Sequence, residues 1–461
     1  MGLQDGGDAT ATCCQLKLPN ITDSCFEYKQ LYEMNSNSTT IVQQFVYNVY
    51  LFFMVACFLA FVPPIMHINL RTTALYLAVT TLVIKSYKTS AVFSLIKKNN
   101  IILCFILLAL CALLTYYQQR TSLFNSLAGR VAPADHLTPF LSIVVISLFC
   151  VVEFKSFKQF SYIWICLFIV QSAIILTSVV SYSFRMFIYD HFYFGDNRFE
   201  ETIEAGTRIM GIGIYAANGS LVMSTSCILL VALKIRNQIS DRLFYACYLL
   251  IFSATMFTGR TGMLVELAVF FYYSIFHGRS LKKTFWTVIA VFGVAGIGSS
   301  ILSSLDSQTA SEIYEWITAA FNEESRESIM EGVEKGGFPP ISYDTLVGTG
   351  IKTGYVYDGK TYSPDSGYIR SWISLGIFGF CAYYYAIWKL LTASKLRMCP
   401  APIKFFCLFV ILIAFIVEYK EPFFMRMRFP LIAFALPLFM AKEQKAFYRS
   451  GPLNNINSLD Q

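Results

Sequence analysis

Six cations stand out by position: Arg208, Arg260, Arg370, Lys420, Arg426 and Arg428 each fall at the edge of a long apolar run. Guanidinium groups present a planar fork that matches phosphate oxygens, so cations in such places could bind an anion or steady a phosphate leaving group. Arg260 is the sharpest case. It sits in Phe257-Thr-Gly-Arg-Thr-Gly262, a turn so short that the flanking helices must pack antiparallel. The glycines permit the reversal and leave N–H groups open at the start of the next helix, a favourable anion position. An arginine snorkelling to lipid headgroups would occupy the same place, and both readings stand. Arg208 opens Arg208-Ile-Met-Gly-Ile-Gly-Ile-Tyr-Ala-Ala-Asn-Gly219, whose glycines equally serve close helix packing.

Two carboxylates accompany these cations. Glu266 lies six residues into the run that follows Arg260, which is about 9 Å of helix. A carboxylate there needs a partner; the expectation is an arginine, either oriented by Glu266 for function or held in a structural ion pair. Asp365 precedes a later apolar run and either caps that helix, alone or with Ser366, or serves as general base or acceptor for a sugar hydroxyl. Histidine would be the usual base, but the large polar loop described below contains none; His191, in Tyr189-Asp-His-Phe-Tyr-Phe-Gly195, is a minor candidate. Cys13, Cys14 and Cys25 lack metal-ligand spacing, so neither a metal nor a cofactor is expected.

What must position these groups is a set of membrane helices. Of the 461 residues, 56% are hydrophobic and 14% charged, against roughly a quarter charged in a soluble domain. The class is therefore an all-α polytopic membrane protein. Apolar runs near 45–66, 73–90, 101–117, 138–154, 160–184, 211–233, 243–258, 262–276, 284–302, 367–392, 403–418 and 424–441 predict about twelve spans. The polar tail 1–44 precedes them and the tail 442–461 follows; the first span would act as its own insertion signal. Lys and Arg concentrate on alternate loops (Lys85 to Lys98, Lys155/Lys158, Lys234 to Arg242, Arg279 to Lys283, Lys395 to Lys404, Lys442 to Arg449), which predicts that those loops and both termini are cytoplasmic. The net charge of +7 is thus explained by topology and excludes no membrane role while offering no nucleic-acid surface. The six singled-out cations then lie on the opposite side, where Lys and Arg are scarce.

That opposite side also receives the one large loop, 303–366. It carries eleven acidic residues against four basic ones, a balance that suits neutral, hydroxyl-rich material better than anions. Thr309-x-x-Glu312 reads as a capping box for an amphipathic helix bearing Ile313, Trp316, Ile317, Ala320 and Phe321. Tyr355-Val-Tyr-Asp-Gly-Lys-Thr-Tyr362 reads as a hairpin turning at Asp358-Gly359.

About twelve spans, the Gly-Arg-Thr-Gly turn, one late outer loop, Asp365-Ser-Gly-Tyr-Ile-Arg370 running into Leu375-Gly-Ile-Phe-Gly379, and Glu418-Tyr-Lys-Glu-Pro-Phe-Phe-Met-Arg426-Met-Arg428 together resemble the Wzy-type O-antigen polymerases. The resemblance spans most of 45–441. It implies a metal-independent, GT-C-like membrane glycosyltransferase of the bacterial inner membrane, with its active site facing the periplasm. Donor and acceptor would be undecaprenyl-diphosphate-linked oligosaccharide repeat units, with membrane lipids around the protein and a chain-length regulator as an expected partner. In that reading Arg208 and Arg260 bind the diphosphate, Glu266 orients one of them, Asp365 handles the acceptor hydroxyl and Arg370 assists. Lys420, Arg426 and Arg428 add phosphate contacts. The related O-antigen ligases are expected to carry a His near the end of the large loop, where this chain has Asp365. A lipid-linked oligosaccharide flippase would show two related halves, and no internal repeat is evident.

Overall fold

In the computed structural model the described residues are 41–59, 70–88, 101–121, 134–192, 209, 211–212, 216–277, 341–349, 355–357, 360–362, 366–392, 396, 399–420, 424 and 428–450. They are almost entirely helical: α1 (Ile41–Phe58), α2 (Leu70–Lys88), α3 (Ile101–Thr121), α4 (Ala134–Glu153), α5 (Phe157–Val180), α6 (Tyr182–Phe192), α7 (Ala216–Ile235), α8 (Asp241–Thr258), α9 (Arg260–His277), α10 (Tyr343–Val347), α11 (Gly367–Leu391), α12 (Ala401–Lys420) and α13 (Arg428–Ser450). Among them α5, α11 and α12 are long and apolar enough to cross a membrane, and several others are shorter apolar helices. The span expected at 284–302 and the amphipathic helix expected at 309–321 lie outside the described residues. The expected hairpin is present: Tyr355–Tyr357 (β1) pairs antiparallel with Lys360–Tyr362 (β2), Tyr355 opposite Tyr362.

α7 is the packing centre. Every residue from Gly219 to Leu233 is buried, and a helix buried all round belongs inside a bundle. Its small and hydroxyl residues let neighbours approach: Trp164 of α5 donates to Thr225 Oγ1 at 2.8 Å, and Gly262 N of α9 donates to Ser220 Oγ at 3.2 Å. Asn237, at φ 54°, closes α7 in the left-handed conformation that asparagine tolerates, and Ser240 caps α8 through Leu243 N.

Charged side chains gather at one end of this bundle. Glu153, in the last turn of α4, accepts from Lys85 Nζ at 2.7 Å and from the Tyr47 hydroxyl at 2.5 Å. Lys442 donates to the carbonyls of Val151 and Phe154, both at 2.7 Å, satisfying the end of α4. Glu443 pairs with Arg236 and accepts from Phe157 N at 2.6 Å, while Lys234 pairs with Asp241.

Two expected spans are not single straight helices. The run 160–184 breaks at Ser181, where α5 stops and α6 begins; Ile174 of α5 packs against Ile188 and Tyr189, so α6 bends back over α5. The run 367–392 is broken at Gly376 (φ 68°, ψ 173°). Its halves fold together: the rings of Tyr368 and Tyr384 stand 4.9 Å apart and Ser371 Oγ lies 3.2 Å from the Tyr384 hydroxyl. In a straight helix those tyrosines would be about 24 Å apart. α11 thus has the length of a membrane span only when both halves are counted.

Candidate functional site

The α8–α9 turn is built around one linking residue. Gly259 N–H donates to Thr255 O at 3.0 Å, closing α8, and Gly259 O accepts from Met263 N, opening α9. At φ −179° the backbone of Gly259 is extended and asks nothing of glycine. Gly262 is the demanding position: a Cβ there would lie 2.3 Å from the Ser220 carbonyl carbon and oxygen. The antiparallel pairing expected from the short turn is present, with Phe244 and Tyr273 rings 5.2 Å apart and Tyr248 and Phe270 rings 5.4 Å apart. Arg260 is the first residue of α9 and half-buried. A cation at a helix N-terminus opposes the helix dipole, so this arrangement concentrates positive potential and favours an anion.

A segment distant in sequence is fastened here through the backbone. Ile209 N–H donates to Phe257 O at 3.0 Å, three residues before Arg260. The following segment is clamped by Gln171 of α5, whose Oε1 accepts from Ile212 N at 3.0 Å and whose Nε2 donates to Ile212 O at 3.5 Å. Arg208 itself lies outside the described residues. Gln171 was not singled out in the sequence; the available signal is a lone amide inside a long apolar helix, buried and therefore in need of partners.

Glu266 departs from expectation. It is fully buried, and among the described residues it pairs with no arginine. Its Oε1 instead lies 2.8 Å from the Thr255 hydroxyl of the antiparallel neighbour α8, and its backbone carbonyl accepts from the Tyr248 hydroxyl at 2.5 Å. The reason is geometric. α8 and α9 pair in a register that sets Thr255 beside Glu266, whereas Arg260 stands at the top of α9. Glu266 therefore ties the two helices together beneath Arg260 and does not orient it by an ion pair.

The elbow of α11 forms the other constellation. α10, within the large loop, and the residues just after it dock into the elbow: Thr349 N and Oγ1 both donate to Ile373 O, at 2.8 and 2.9 Å, and Trp372 Nε1 donates to Thr345 O at 3.0 Å. Gly348 (φ 98°) and Gly376 touch backbone to backbone, so a Cβ on either would overlap the other strand of the contact. Arg370 is half-buried in the first turn of α11. Ser366 stands at the N-cap position yet makes no side-chain cap bond, and Asp365 lies outside the described residues.

Glu418 was quoted in the sequence but given no role. It is fully buried near the end of α12, with Oε1 accepting from the Tyr384 hydroxyl at 2.7 Å and Oε2 from Phe424 N at 2.8 Å. It thereby joins the elbow to the segment that bears Lys420, which is exposed at the end of α12. The overlooked signal is an acid in the last turn of an apolar helix, where both the dipole and the apolar surroundings disfavour it. Arg426 lies outside the described residues and Arg428 is the first residue of α13. His191 sits on the exposed face of α6, its Nδ1 2.9 Å from Phe187 O. Among the described residues no three His, Cys, Asp or Glu side chains cluster as a metal site requires.

No family model, no curated protein and no solved structure matches this chain.

Proposed function

We propose that the chain is an integral-membrane polysaccharide polymerase, moving a growing glycan from undecaprenyl diphosphate to the next lipid-linked repeat unit at the outer face of a bacterial inner membrane. The observation that carries this reading is the Ile209–Phe257 hydrogen bond. It fastens Ile209, which follows Arg208 in the sequence, to the end of α8 beside the turn that holds Arg260. Concentrated, metal-free positive charge is what a departing diphosphate needs. In the transfer, the anomeric carbon–oxygen bond to the diphosphate breaks, the acceptor hydroxyl oxygen takes its place, and its proton passes to a base. Arg208 and Arg260 receive the diphosphate charge, Asp365 takes or orients the hydroxyl proton, Arg370 assists, and Lys420, Arg426 and Arg428 add phosphate contacts. Glu266 serves by fixing α8 against α9. The twelve-span, both-termini-inside topology is part of the same reading, supported by the charged residues that gather at one end of the bundle.

The test is the lipopolysaccharide gel profile of a deletion strain carrying wild type or Arg260→Ala at matched membrane levels. The expected result is a ladder with wild type and a single repeat unit on the lipid core with Arg260→Ala and with no protein. A deletion strain bearing no repeat units at all would reassign the chain to a ligase or a flippase.

A further inference from the structure

α6 carries a charge where its pattern calls for an apolar side chain. Arg185, Ile188 and Tyr189 are buried and Phe192 half-buried, while Tyr182, Ser183, Phe187, Asp190 and His191 are exposed. This is an amphipathic helix with period 3.6 and an arginine on its inner face. Arg185 is only 7% exposed, and its Nε is buried. Its guanidinium lies over the Tyr182 ring, 5.3 Å from the centroid. Among the described residues no carboxylate pairs with it, and its buried Nε has no hydrogen-bond partner. Its backbone is accounted for, with Arg185 N donating to Ser181 O at 3.0 Å and Phe184 N to Ser181 Oγ at 3.3 Å. The conformation of the elbow is thus set by Ser181, not by the arginine.

A buried, uncompensated guanidinium is strongly unfavourable. Stacking on one tyrosine face leaves the edge of the group free, and Nε with one Nη forms the side-on fork that takes two oxygens of a phosphate. Flanking the elbow, Val180 and Phe187 turn apolar surface outward, 63% and 49% exposed. We propose that the α5–α6 elbow binds the phosphate ester of a membrane lipid, with Arg185 gripping the phosphate edge-on over Tyr182 and the hydrocarbon lying along Val180 and Phe187. A resident phospholipid and a polyprenyl phosphate share this chemistry, and the site does not depend on the glycosyl-transfer reading.

The test uses the full-length protein, purified in detergent and stripped of lipid, with melting temperature and native mass spectrometry as readouts. Probes are phosphatidylglycerol, undecaprenyl phosphate, inorganic phosphate and diacylglycerol. Either phospholipid-class probe should raise the wild-type melting temperature, and whichever binds tighter names the source. Arg185→Gln should weaken binding at least tenfold, and Arg185→Lys, which keeps the charge but loses the fork, should weaken it by an intermediate factor. Arg185→Met should melt higher than wild type without lipid and lose that advantage when phosphatidylglycerol is added. Equal binding of diacylglycerol, undiminished binding by Arg185→Gln, or a lipid-free Arg185→Met that melts below wild type would each overturn the proposal. Binding of inorganic phosphate as tight as that of the lipids would also overturn it, since the site would then read free anion. None of these readouts uses polymer formation, so loss of the site and loss of the polymerase reading are told apart.

Discussion

Glu266 and Glu418 are carboxylates buried in apolar helices, each held by a hydroxyl from a neighbouring element, Thr255 and Tyr384. The identity of an intramembrane acid is legible in a sequence; its partner is not, because the partner is chosen by the register between helices. Arg185 was passed over for the same kind of reason, since an arginine at the edge of an apolar run reads as interfacial until its burial is seen. The Thr255 contact makes a testable asymmetry. Thr255→Val removes a partner from a buried carboxyl group and should destabilise by about 1–3 kcal/mol, whereas Thr255→Val with Glu266→Leu should recover most of that loss, as read by denaturation in detergent. At the charged end of the bundle, burial pulls the Lys442 pKa from its usual 10.5 down to about 8. The unfolded chain keeps that proton to higher pH than the folded one, so stability rises between pH 8 and 10.5 and is flat below, by about 3 kcal/mol at most. Melting curves of wild type and Lys442→Met across pH 7–11 check this: the stability of wild type relative to the variant should rise between pH 8 and 10.5.

The helices themselves follow from apolar runs, and the hairpin at 355–362 from its central Asp-Gly, because both signals are local. The elbow of α11 is not local. Leu375-Gly376-Ile377 continues an unbroken apolar run, and the fold-back depends on Gly348, far upstream, meeting Gly376 backbone to backbone. The segment just after α10 then supplies Thr349 to the carbonyl of Ile373 near the break, as broken helices in lipid require. Both glycines are held at positive φ, so Gly376→Ala and Gly348→Ala should each cost about 1–3 kcal/mol in backbone strain alone, and more through the steric overlap. If Arg370 acts where the elbow places it, both variants should also shorten or abolish polymer at matched expression, while Tyr384→Phe, which removes one donor to Glu418, should have a smaller effect.

At the scale of the molecule, the sequence argues by charge and the structure by assembly. The basic loops assigned to one side by counting Lys and Arg contribute Lys85, Lys234, Arg236 and Lys442, and these meet Glu153, Asp241 and Glu443 at a single end of the bundle. That convergence relates helix ends to one another but does not say which compartment they face; the excess of Lys and Arg supplies the direction. Two exposed positions separate the alternatives. Arg242, beside Asp241 at the start of α8, belongs to the charged end, and Lys420, at the end of α12, belongs to the set assigned to the outer side. With native cysteine labelling subtracted, Lys420→Cys should react with a membrane-impermeant thiol reagent in spheroplasts, and Arg242→Cys only after the membrane is opened. The reverse pattern would invert the orientation and remove Arg260 and Arg370 from the side where lipid-linked glycans are polymerised. Labelling of both in intact spheroplasts would show instead that these ends do not lie on opposite sides of a membrane.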